Sequence, residues 1–142
     1  MTSNTVSPSP SVSRRADLVG RSLMGLNVLL TLAAFVNGVA LTVAAAADDV
    51  IVQAWQMFGF AIFAGMWTLV ALWPRRIPGI WELLIAHKLA VTIFCLVNIS
   101  QPDAAVTGVI DGFIMITTVI AYVLCRGWRS WNGFDPRRAL AV

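Results

Sequence analysis

Three ionisable side chains fall within one short apolar stretch, Trp81-Glu82-Leu83-Leu84-Ile85-Ala86-His87-Lys88-Leu89. A fourth, Asp111, stands in a second apolar stretch. This set can do acid–base chemistry. An imidazole exchanges a proton near neutral pH, so His87 is a candidate proton carrier. Asp111 is a candidate general base, and Lys88 is the countercharge that would hold it. Asn27 adds a carboxamide, which needs several hydrogen-bond partners when buried. Tyr122 adds a phenol and Trp67 an indole. The sequence reading therefore assigns His87, Lys88 and Asp111 to catalysis. Asn27, Tyr122, Trp67 and Glu82 are assigned to ligand binding, and Asn27, His87, Lys88, Asp111 and Tyr122 are expected to line one internal cavity with an aromatic wall from the second helix.

The composition sets the medium in which this chemistry would occur. The 142 residues are 58% hydrophobic and only 12% charged, and the mean hydropathy is +0.80. Soluble domains carry roughly 25% charged residues, so half that fraction argues against a soluble enzyme, a nucleic-acid-binding domain and a disordered chain. A bilayer core needs about 20 mostly apolar residues per helix. Four stretches meet that length: residues 23–46, 54–73, 79–99 and 105–125. Hydrocarbon offers no partner to free backbone groups, so these must be helices. The expected fold is all-α, an integral membrane four-helix bundle of antiparallel up-down hairpins. It occupies residues 14–130, with a disordered tail at 1–13 and a second tail at 131–142. The first apolar run is too long for a cleaved signal peptide.

The breaks between the stretches are short. They are Asp48-Asp49, then Pro74-Arg75-Arg76-Ile77-Pro78, then Ser100-Gln101-Pro102-Asp103. Nine of the ten Lys and Arg residues fall on one side of a four-span layout: Arg14, Arg15, Arg21, Arg75, Arg76, Arg126, Arg129, Arg137 and Arg138. By the positive-inside rule this side is cytoplasmic, and both termini lie there. Trp73, Trp81, Trp128 and Trp131 would form an aromatic belt at that boundary, with Trp55 near the other. The basic balance of ten against seven thus reports topology, and no nucleic-acid partner is expected.

The tenth cation, Lys88, lies about 13 Å inside span three, and Asp111 about 9 Å inside span four from the other surface, at the helical rise per residue. A lysine stem covers the remaining gap, so the two are expected to pair. Glu82 lies only a turn from the basic side, and its expected partner is Arg75 or Arg76 across the short loop, or water. Cys95 and Cys125 lie too far apart in depth to form a disulfide. The chain has one histidine, too few for two axial haem ligands. It has no HExxH and no Gly-rich phosphate loop, so no metal or cofactor is expected.

The layout resembles the DoxX-like families of small bacterial membrane proteins. The resemblance spans residues 14–130. It rests on a basic lead-in (Arg14-Arg15…Arg21) to a first helix containing Gly25, Asn27 and Asn37-Gly38, followed by a compact hairpin pair. It implies a bacterial inner-membrane bundle, of a kind often linked with redox or lipophilic-metabolite systems. A small multidrug exporter has similar length but an essential acidic residue in its first helix, and residues 23–46 contain none. The expected function is binding or transformation of a small lipophilic molecule at an intramembrane polar site. The alternatives are a non-catalytic subunit or assembly factor that docks on a membrane-protein partner, and a proton-coupled small transporter working as a homodimer.

Overall fold

The computed structural model describes residues 13–133. The tails expected at 1–13 and 131–142 lie almost wholly outside these residues. Four long helices account for most of the described chain: α1 (Arg14–Ala44), α2 (Val50–Leu72), α3 (Ile80–Val97) and α4 (Ala104–Cys125). A short 3₁₀ segment, Gly127–Gly133, follows α4. All four helices are long and apolar enough to cross a membrane, and the chain reads as a multi-pass membrane protein. One end of the molecule holds Arg21, Arg75 and Arg126 and is called the arginine end below. The opposite end holds Asp48 and Asp103.

The local signals that start and stop the helices are visible in the sequence. Gly79 precedes α3 with a φ of 83°, a left-handed conformation in which a Cβ is strained. The ring of Trp131 lies against it: a Cβ there would come 3.7 Å from Trp131 Cζ2. Two non-glycine residues also take positive φ, Asp103 at 61° before α4 and Arg126 at 52° after it. The amide N–H of Arg126 donates back to the carbonyls of Tyr122 and Val123, a left-handed helix stop.

The helix α1 begins nine residues before the apolar stretch that announced it (Arg14 against Leu23), so Asp17 is an acidic residue within it. The reason is tertiary. The last carbonyls of a helix have no partner within it, and α2 and α4 have no basic residue in their last turns. Arginines from elsewhere supply the donors. Arg21 of α1 donates through Nε to the carbonyl of Ala71 at 2.7 Å and through Nη2 to that of Leu72 at 3.2 Å. Arg75 of the loop before α3 donates to the carbonyl of Cys125 at 2.9 Å and to the Asp17 carboxylate. The lead-in is held in the helix by Arg21, fastened to the end of α2, and by Asp17, which binds the Arg75 that closes the end of α4.

The core sits toward the arginine end. Met24, Trp67, Val70, Ile80, Trp81, Leu84, Ala121 and Cys125 are buried together there, with Ile114 further along α4. Trp81 donates its indole N–H to the carbonyl of Pro74 at 2.7 Å. Small residues let the helices approach closely, as membrane interfaces favour. A Cβ on Gly20 of α1 would lie 2.6 Å from Cys125 Sγ, and one on Gly108 of α4 would lie 3.0 Å from Cys95 Cβ. Toward the other end the packing thins. The helix α2 has no buried residue before Ala64, and α2 and α3 scarcely touch. The interface between them is a loosely packed seam.

Candidate functional site

The charged pair lies where this seam meets the core. Lys88 on α3 and Asp111 on α4 form an ion pair through Nζ and Oδ1. Both residues are buried, and their side chains retain 11% and 12% of their surface exposed. Gly112, next to Asp111, makes the approach of α3 and α4 possible here: a Cβ on it would already touch Thr92 Cγ2 at 3.5 Å. Thr92 returns its hydroxyl to the carbonyl of Lys88 at 2.7 Å, so it braces the lysine backbone rather than the ammonium.

From across the seam, Phe63 of α2 covers the pair. The Lys88 ammonium lies 5.1 Å from its ring centroid, within range of a favourable cation–π contact. The same ring meets the His87 imidazole at 4.4 Å between centroids. His87 itself is exposed, so it flanks the pair from the outer side of α3 and does not enter the interior. Lys88 carries three N–H donors, and Asp111 is its one acceptor among the described residues. The second oxygen of Asp111 has no donor there. One turn toward the arginine end, Trp67 packs in the cluster containing Leu84 and Ile114. Its indole N–H is buried without an acceptor.

The remaining residues expected in one cavity are distributed over two other clusters. Asn27 is fully buried and spans from α1 to α4. Its Nδ2 donates to Thr118 Oγ1 at 3.3 Å, and its Oδ1 accepts from Thr117 Oγ1 at 3.1 Å. The carboxamide is thereby engaged in joining helices. Thr117 and Thr118 lie about 100° apart round the helix; one carboxamide is wide enough to meet both. Tyr122 and Glu82 are brought together at the arginine end. Glu82 Oε1 accepts from the Tyr122 hydroxyl at 2.9 Å and from Trp131 Nε1 at 3.1 Å. Trp81 and Trp128 pack edge-on against Tyr122, at 5.8 and 5.7 Å between centroids.

Two expectations are corrected by this arrangement. Glu82 does not pair with Arg75, because Arg75 is taken by Asp17 and the end of α4. Its second oxygen is buried without a hydrogen-bond partner, and its first accepts from the neutral donors of Tyr122 and Trp131. Nor do Asn27, His87, Lys88, Asp111 and Tyr122 share one cavity, since Asn27 and Tyr122 are turned to other partners. A surface depression of about 270 Å³ lies elsewhere, at the end holding Asp103, against Phe94, Cys95, Asn98 and Thr107. It contains neither member of the charged pair. Among the described residues no group of three or more His, Cys, Asp or Glu side chains could hold a metal ion. Both cysteines are free and buried.

No family model, curated protein or solved structure matches this chain.

Proposed function

We propose that the chain is an inner-membrane protein that binds a small lipophilic molecule in the seam between α2 and α3, with its polar head at Lys88 and Asp111. In this reading neighbouring helices cross the bilayer in opposite directions, and both termini and the Arg75-Arg76 loop face the cytoplasm. The one-sided distribution of arginine supports that orientation. The layout shared with DoxX-like proteins agrees with it.

The observation that carries the functional reading is a buried charged pair with unused hydrogen-bonding capacity, beside the loosely packed seam between α2 and α3. A charge at mid-bilayer costs about 2.5–3.5 kcal/mol on insertion scales. A pair meant only to register two helices is best sealed and fully satisfied. This one is neither. A lipophile arriving from the hydrocarbon would reach it beside the packed Phe63 and His87 rings, without crossing the headgroup layer. His87 can lend or take a proton there, which would make the site reactive as well as receptive.

The test is native mass spectrometry of protein extracted gently from its own membrane. A retained small molecule, absent from a Lys88→Met/Asp111→Asn double variant, is the expected result. An empty wild-type protein would overturn the reading. Retention of a protein partner and no small molecule would favour the second reading, a subunit of a larger complex. The unburied first half of α2 is the observation that favours that alternative.

A further inference from the structure

The charge balance of the pair limits what it can hold. Lys88 and Asp111 together are neutral, and each is the other's ionic partner. An anionic head drawn to Lys88 would compete with Asp111 and leave a net negative charge in a low-dielectric span. A cationic head drawn to Asp111 would leave a net positive one. Uncompensated charges there are strongly disfavoured. A neutral head leaves the pair intact.

The unused hydrogen-bonding capacity narrows the class further. The Lys88 ammonium has donors to spare, because Asp111 is its single protein acceptor. Asp111 has an acceptor to spare in its second oxygen. A ketone, aldehyde or ester can answer only the lysine. A hydroxyl answers both, since it accepts and donates at once. The surrounding walls ask for an apolar body: Phe63 covers the pair from α2, and the open half of the seam is lined by unburied apolar helix surface. We infer that the molecule held here is a neutral lipophilic alcohol. Its hydroxyl oxygen accepts from Lys88 Nζ, and its hydroxyl proton is donated to the second oxygen of Asp111. This inference rests on the site reading above and names its ligand class.

The experiment is a competition read by native mass spectrometry on the full-length protein. The probes share one chain length: 1-dodecanol, 2-dodecanone, dodecane, dodecane-1-sulfonate and dodecyltrimethylammonium. For the wild type, dodecanol should be retained at least tenfold over either charged probe and several-fold over the ketone and dodecane. Removing one charge should redirect the preference. Asp111→Asn should bring the sulfonate above the alcohol, and Lys88→Met should bring the trimethylammonium above the sulfonate. A helix-bracing pair would give no such exchange.

If the single variants fail to fold, the neutral double variant Lys88→Met/Asp111→Asn decides. It should lose the advantage of dodecanol over dodecane, and keeping that advantage would overturn the inference. Equal retention of sulfonate and alcohol by the wild type would also overturn it, while leaving a lipophile site in place. Retention of no probe at all would overturn the site reading and this inference with it.

Discussion

Asp17 and Asp111, both among the described residues, meet basic side chains in opposite ways. Asp17, at the arginine end, sits among Arg75 and Arg21. Both arginines are also fastened to helix ends, at the carbonyls of Ala71, Leu72 and Cys125. The arginine side chains keep 34% and 41% of their surface exposed. Asp111 meets one cation, Lys88, in a setting about a tenth exposed. The first cluster is a mesh with redundant bonds and access to polar surroundings. The second is a single bond between two groups that have no other ionic partner. The comparison teaches that the same chemical pair can be a fastener in one place and a poised, incompletely satisfied site in another. What differs is the supply of alternative partners.

That contrast sets the size of mutational effects. The largest is expected at Asp111. Asp111→Asn leaves Lys88 uncompensated and should lower stability by about 3–5 kcal/mol, the range for breaking a buried pair by removing one partner. The double variant Lys88→Met/Asp111→Asn should recover most of that loss. Equal unfolding curves in detergent for wild type and Asp111→Asn would break the comparison.

Steric effects at the arginine end come next. Gly20→Val would drive a branched side chain into Cys125 Sγ and the carbonyl of Ala121. Overpacking of this kind costs about 1–3 kcal/mol, read as a lower midpoint of thermal unfolding. The uncharged node is expected to matter less. Asn27→Ala removes the bonds to Thr117 and Thr118, worth about 0.6 kcal/mol on average and at most about 1.7 for hydrogen bonds between membrane helices. The smallest effect is expected at Asp17. Asp17→Asn should cost about 0.2–1 kcal/mol, the range for exposed ion pairs, because Arg21 and Arg75 keep their helix-end carbonyls. A loss at Asp17 as large as that at Asp111 would show that the mesh is not redundant.

The pair was legible in the sequence because depth is one-dimensional. Counting residues inward from each end at a fixed rise places Lys88 and Asp111 near the same level, and only one cation and one carboxylate lie that deep. The outward placement of His87 was not legible. It precedes Lys88 by one step of about 100°, and the rotation of α3 about its axis decides which of the two enters the interior. The partners of Glu82 were hidden for a related reason. Its donors, Tyr122 and Trp131, belong to another helix and to the segment after it, where no periodicity links them to position 82. Asp17 carried one readable signal, Arg21 four residues on, but its principal partner, Arg75, lies across a loop.

By itself, the sequence determined the number of helices and their approximate bounds, the early start of α1 excepted. It also determined the loop chemistry that separates them and the concentration of basic residues at one end. These follow from hydropathy and from local backbone rules, which act over a few residues and need no knowledge of neighbours. Only the tertiary structure decided that α2 and α3 part to leave a seam. It alone decided that arginines close the ends of helices to which they do not belong, and that one expected cavity is three separate clusters. Those outcomes depend on the axial rotation and spacing of each helix, which are set by contacts such as Gly20 with Cys125 and Gly112 with Thr92, between residues far apart in the chain.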